Sequence, residues 1–218
     1  PDAEIVIFDK MTYAADIRNI PSVMLNDKHK LIVGDLIDFP LCLKVTKNTD
    51  LVINLAAESH VDNSFGNSLI FTKSNTLGTH TLIAACMVNN VKKIIYPSSI
   101  LVYSSDNIMP LTENSKLNTS NPYSRCKIFI EDLLYDISAS DNSWDIIILR
   151  YSNTIGSHQS GVIDGYTPIK PNNLTSSILS VFENQTDKVE IYGDDFETRD
   201  GTCERDYIHV VDVAKANL

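Results

Sequence analysis

Tyr123 and Lys127 stand four residues apart in "NPYSRCKIFIEDLL", Asn121 to Leu134, at the head of a stretch with helical apolar spacing. On a helix that spacing sets a phenol and an ammonium on one face. A free phenol titrates at about pH 10 and is a weak base at neutral pH. An ammonium beside it favours the phenolate, lowers the pKa and lets the phenol take a proton from an alcohol. Taken alone, the pair is also found on many ordinary surface helices. The elements around it have to decide.

Apolar runs of strand length alternate along the chain with longer helical patterns. The runs are "EIVIFD", "KLIVGD", "LVINLA", "KKIIYPSS", "DIIILRYS" and "VEIYG", all rich in Ile and Val. Several are apolar throughout, as strands covered on both faces are. Helices are predicted over Ser74 to Asn90, Pro122 to Ala139 and Asn172 to Asn184. Such alternation predicts an α/β fold with a parallel sheet and right-handed crossovers. After Ser152 the texture changes. "NTIGSHQSGVIDGYTPIKPNN" is rich in Gly, Pro, Asn and Ser and reads as a long loop. The domain boundary is therefore expected at 152/153.

In parallel α/β sheets ligands sit at the carboxyl ends of the strands. The residues that fall there are Asp9, Asp35, Ala56, Ala57, Glu58, Ser98, Ser99 and Asn153. One polar strand end means little, but a series of small and polar ends points to a site for a flat ligand. The net charge of -10 leaves no basic face for nucleic acid or an anionic membrane. No apolar run approaches the roughly 18 residues needed to cross a bilayer. The four cysteines form no Cys-x-x-Cys pair and have no histidines at zinc spacing. They read as reduced thiols of a cytoplasmic protein, with no metal site.

"YPSSILVYSS" followed by "NPYSRCK" resembles the serine strand and Tyr-x-x-x-Lys pair of the extended short-chain dehydrogenase/reductases, in their NAD-dependent nucleotide-sugar epimerase and dehydratase branch. "GDLID", "NLAAESHVDNS" and "SNTLGTHTLI" resemble that family's cofactor-side segments, in order. "DKMTYA" and "AAESHVDNS" resemble the dTDP-glucose 4,6-dehydratases of the branch. "RYSNTIGSHQSG", "PNNL" and "VEIYGDDFETRDGTCERDYIHVVDVAKA" resemble its UDP-glucose 4-epimerases. Where the dehydratases carry Thr-Asp-Glu, this chain has Ser99-Ile100-Leu101, and Ile and Leu cannot move protons. The epimerase reading is the stronger.

The resemblance implies a Rossmann-type doubly wound sheet, NAD-binding over 1–152, and part of a smaller nucleotide-sugar-binding region over 153–218. It implies inversion at C4 of a UDP-hexose through a transient 4-keto sugar, with Ser99, Tyr123 and Lys127 catalytic. Tyr123 would take the 4-hydroxyl proton with help from Ser99, and Lys127 would hold the phenolate and the nicotinamide ribose. Asp9, Lys10, Asp35, Leu36, Leu55, Ala56, Ala57 and Asn75 would complete the NAD site. Asn153, Asn173, Leu174, Tyr192 and Arg205 would hold the UDP half, with Arg205 on the diphosphate. A homodimer is implied as well.

The family's Gly-x-x-Gly-x-x-Gly turn is absent, and the first glycine is Gly34. The chain is therefore expected to begin at the family's second strand and to be a piece of a longer enzyme. Its sheet should then carry an unpaired edge and a bare apolar face. Ser152 stands where epimerases usually carry phenylalanine, and Ser59 where some carry lysine, which loosens the expected grip on NAD. A non-catalytic nucleotide-sugar-binding relic is the alternative from another class.

Overall fold

A computed structural model describes residues 3–161 and 174–218. In chain order the elements are β1 (Ile5–Asp9), α1 (Ser22–Leu25), β2 (His29–Val33), α2 (Phe39–Val45), β3 (Val52–Ile53), α3 (Val61–Gly66) and α4 (Ser68–Phe71). A π-helical segment, Thr72–Gly78, runs into α5 (Thr79–Val88). Then come β4 (Lys93–Ser99), a 3-10 turn at Ile100–Val102, α6 (Pro122–Ser140), β5 (Asp145–Tyr151), β6 (Asn153–Ile155), α7 (Leu174–Phe182), β7 (Tyr207–His209) and α8 (Val210–Ala216). They form two compact units. The first holds the described residues of Pro1–Lys10, Asn26–Tyr151 and Asn217; the second holds those of Met11–Leu25, Ser152–Ala216 and Leu218.

The first unit is an α/β body with parallel strands in two pieces, β1–β2 and β3–β4–β5. β4 lies against β5 from Lys93↔Asp145 to Ser99↔Tyr151. Beyond Lys93 the whole of β4 is buried, as its uninterrupted apolar run requires. β1 and β3 are not paired with each other, and among the described residues each has one strand neighbour. Ile5 and Val6 of β1 are 43% and 46% exposed, far more than core strand residues should be. The two sheet pieces are joined through α2 and α5. The Asn89 amide closing α5 donates to the Leu43 carbonyl and the Thr46 hydroxyl, both at 2.8 Å.

α6 is built where its sequence starts it. The Asn121 side chain accepts from the Ser124 N–H at 2.8 Å, and Pro122 fills the first turn, where its missing N–H costs nothing. Its buried stripe runs Tyr123, Lys127, Ile130, Leu134 and Ile137, one helical face. The lower part of that stripe packs with Ile83, Tyr96 and Trp144 in the main core. The upper part carries Tyr123 into a smaller cluster with Phe71 and Cys126.

Three local expectations are corrected. Ser74 to Asn90 is not one regular helix: its first part is the π segment, and α3 and α4 precede it. "VEIYG" is not a strand. Ile191 and Tyr192 there are each 73% exposed, and without a ladder partner a strand-like run has nothing to hold it. The loop after Ser152 contains β6, which pairs in parallel with β7 from Asn153↔Tyr207 to Ile155↔His209. These two strands are too short for periodicity to reveal, and their pairing is long-range.

Candidate active site

Two chain segments of the first unit, the end of β4 and the start of α6, bring Ser99, Tyr123 and Lys127 together. Ser99 ends β4, and its hydroxyl accepts from the Leu101 N–H at 3.2 Å, capping the 3-10 turn. Tyr123 and Lys127 come from the first turns of α6. All three are buried, at 7%, 9% and 5% exposure. Burial pushes the Tyr123 phenol above its usual pKa, and a hydrogen bond with the Ser99 side chain pulls it back only in part. Burial likewise brings the Lys127 ammonium down to about 8, against the upward pull of Cys126 and Glu131.

The sequence-based expectation of a lowered phenol pKa is therefore not met by this arrangement. The Lys127 ammonium lies 5.9 Å from the Tyr123 ring centroid and donates instead to the Pro97 carbonyl at 2.6 Å. Desolvation of the phenolate outweighs a cation that is turned away from it. A ligand that drew Lys127 from Pro97 towards the phenol would reverse that balance. The hydroxyls of Tyr96 and Ser98 on β4 and Ser124 on α6 are buried with no hydrogen-bond partner among the described residues. Polar groups left unpaired beside the Tyr–Lys pair suit a site that completes itself with a polar ligand.

The Asn75 side chain is engaged by the protein backbone. At 1% exposure it grips the backbone of Glu58, accepting from its N–H and donating to its carbonyl, both at 2.8 Å. These bonds fix the loop after β3. A second buried tie, from Asn54 Nδ2 to Thr79 Oγ1 at 3.1 Å, holds the same helix to the end of β3. Leu55, Ala56 and Ala57 are exposed on that loop. π-helical insertions often serve function, and here the π segment aims Asn75 at the loop.

Asp9 ends β1 and is exposed, with its carbonyl accepting from the Gly34 N–H at 3.0 Å. Lys10 and Asp35 pair with each other at 2.6 Å. Burial pushes the Asp35 carboxyl up, but the bonds from Lys10 and the Ile37 N–H outweigh it and leave it low. Leu36 is partly buried and packs against the main core.

In the second unit, Asn153 begins β6, with its N–H bonded to the Asp206 carbonyl at 3.1 Å. Leu174 begins α7 and is half exposed. Tyr192 is 73% exposed, with its hydroxyl donating to Glu190 at 3.3 Å. Arg205 is exposed and donates to the Glu204 carbonyl at 2.7 Å. Asn173 lies outside the described residues.

Sequence reasoning missed Glu131 and Arg150. Glu131 is fully buried on α6, its carboxylate 2.6 Å from the Arg150 guanidinium of β5. The signal was present: Glu131 stands four residues after Lys127, an acid on the face the helix buries.

The profile of the NAD dependent epimerase/dehydratase family matches residues 1–218. The chain belongs to that family.

Among related proteins, UDP-glucose 4-epimerase 2 of Arabidopsis thaliana is 38% identical over 187 residues, covering 84% of this chain and 53% of its own length. The crystal structure of UDP-glucose 4-epimerase from Bifidobacterium longum, in complex with NAD+ and UDP, superposes with a TM-score of 0.89 at 34% identity. That match covers 98% of this chain and 65% of the other. A dTDP-glucose 4,6-dehydratase from Streptomyces venezuelae with NAD bound gives a TM-score of 0.82 at 26% identity, over 100% of this chain and 62% of the other. The chain thus spans about half the length of the curated relative it matches. The Rossmann-type α/β fold is that of the family.

Proposed function

We propose that this chain is part of an NAD-dependent enzyme that inverts C4 of a UDP-hexose, interconverting UDP-glucose and UDP-galactose. The buried Ser99, Tyr123 and Lys127 cluster carries the reading. Tyr123 takes the proton of the sugar 4-hydroxyl and returns it after the sugar has turned over, and Ser99 holds that hydroxyl. Lys127 shifts from Pro97 towards the phenol and favours the phenolate. Bound NAD would supply the hydride acceptor and donor. Asp9, Lys10, Asp35 and Leu36 would hold its adenosine end and Leu55, Ala56 and Ala57 its nicotinamide side, with Asn75 fixing their loop. Asn153, Asn173, Leu174, Tyr192 and Arg205 would hold the UDP moiety in the region 153–218.

Ile100 and Leu101 follow Ser99 where elimination of water needs an acid and a base, which favours epimerisation over dehydration. The strand order β2–β1 and β3–β4–β5 fits the doubly wound order 3-2-1-4-5-6 with the place of its first strand open between β1 and β3. That supports a longer enzyme, in which the glycine-rich turn would cradle the NAD pyrophosphate.

The proposal includes a homodimer, cytoplasmic location and a place in galactose metabolism. Exposed Phe65, Leu69 and Phe129 support the first; Phe65 and Phe129 line an open cavity of about 510 Å³ with Thr72, Arg125 and Cys126. Four free thiols support the second.

The test is incubation of the protein, at the full length its gene encodes, with NAD and UDP-galactose. UDP-glucose as product supports the reading. A 4-keto-6-deoxy product from dTDP-glucose would replace it with the dehydratase. Binding of UDP-sugar without turnover would leave the non-catalytic relic.

A further inference from the structure

Arg150 joins three parts of the first unit that the catalytic cluster depends on. Its guanidinium bonds the Glu131 carboxylate of α6 through Nε at 3.2 Å to each oxygen and through Nη2 at 2.6 Å. Nη1 donates to the Tyr103 hydroxyl at 2.8 Å and to the Glu113 carbonyl at 3.0 Å. The guanidinium carbon also lies 4.8 Å from the Tyr103 ring centroid. Tyr103 directly follows the 3-10 turn that Ser99 caps. Glu113 belongs to the connection that leads from that turn to α6. The connection folds back on itself at Tyr103↔Leu117 and is bonded from the Ser104 N–H to the Lys116 carbonyl at 2.9 Å. A planar guanidinium with five donors can hold all these acceptors at once; an ammonium cannot.

We propose that Arg150, with Glu131 and Tyr103 as its anchors, is the positioning residue that sets the Ser99 hydroxyl against the Tyr123 phenol. Ser99 sits at one end of the connection and Tyr123 at the other. Arg150 ties the connection to both β5 and the third turn of α6. The proposal deepens the epimerase reading and rests on it for the reaction, but the geometry it describes exists without turnover. It also accounts for a buried carboxylate that the chemistry does not otherwise use.

The test compares Arg150→Lys and Tyr103→Phe with wild type, in the protein at the full length its gene encodes. Tyr103→Phe keeps the ring under the guanidinium and removes only one acceptor, so it stays informative if Arg150→Lys fails to fold. Two quantities are read. The first is the split between kcat and KM for UDP-galactose. The second is the titration of the Tyr123 phenol, taken at 295 nm as the difference from Tyr123→Phe in each background. The titratable groups around that phenol are Lys127 and Cys126 on α6 and Tyr96 on β4, with the Ser99 hydroxyl beside it; the Phe71 ring meets the Tyr123 ring edge-on.

A loosened brace lowers kcat about 10-fold or more in Arg150→Lys, and by less in Tyr103→Phe, with KM little changed. It also moves the Tyr123 midpoint upward as the Ser99 bond weakens. Unchanged kcat and midpoint in a folded variant would overturn the proposal, as would a loss of activity that only follows the folded fraction. If wild type does not convert UDP-galactose, the epimerase reading fails, and the titration still decides the brace.

Discussion

Asn75→Asp is a near-isosteric change with a calculable penalty. The oxygen that accepts from the Glu58 N–H is retained. The amide nitrogen that donates to the Glu58 carbonyl at 2.8 Å becomes an oxygen facing an oxygen. One hydrogen bond is lost, about 1 kcal/mol, and an unpaired acceptor is left in a site only 1% exposed, a further 1–3 kcal/mol or so. The variant should therefore lose about 2–4 kcal/mol at pH 7. A protonated carboxyl can donate again, so the penalty depends on pH. The folded state favours the protonated acid and raises its pKa above the unfolded value of about 3.9. A penalty near 3 kcal/mol corresponds to a rise of about 2 pH units. The folded state then binds more protons than the unfolded one between about pH 4 and 6, so the penalty is full above that window and shrinks as pH falls through it. Urea denaturation of wild type and variant at pH 7 and pH 5 measures both values. A penalty below about 0.5 kcal/mol, or one equal at the two pH values, would refute the view that Asn75 acts by clamping Glu58.

Lys127→Met removes a buried ammonium whose pKa burial lowers from 10.5 to about 8. Because that pKa is depressed, wild type gains stability as pH rises from 8 to 10.5, about 3 kcal/mol in all, and Lys127→Met does not; denaturation across that window would show no such divergence if Lys127 were solvated. Tyr123→Phe should lower kcat by about 10²-fold or more while leaving UDP-sugar affinity near wild type, and isothermal titration beside the product assay separates the two. Thiol labelling at pH 7.5 should reach exposed Cys203 first, while Cys42 and Cys86 resist until the chain unfolds. Burial pushes those two thiols to about 11 and about 12, so almost none of either is the reactive thiolate. Gly201→Ala should destabilise the turn at Asp194, because φ there is +79° and a Cβ would strike the Asp194 carbonyl, whose backbone cannot move aside cheaply; a lower midpoint of thermal unfolding checks this.

The sequence by itself determined what is local. The strands from β1 to β5 are legible as runs rich in Ile and Val, most plainly β4, where a strand buried beyond its first residue has no polar alternation to hide it. α6 is legible from its Asn–Pro start and its apolar stripe, and that stripe alone sets Tyr123 and Lys127 on one face. The absence of a glycine-rich turn is equally plain, and the division of the parallel strands into two pieces agrees with it. Tertiary structure decided what depends on burial and on distant partners. Spacing places an ammonium near a phenol, but only packing turns it to Pro97 and lets desolvation raise the phenol pKa. That Asn75 clamps the Glu58 backbone follows from the π segment pointing it inward, which spacing along the chain does not show. The β6–β7 pair and the Arg150 brace each join residues far apart in sequence. No window of neighbouring residues contains such partners; only the packed chain supplies them.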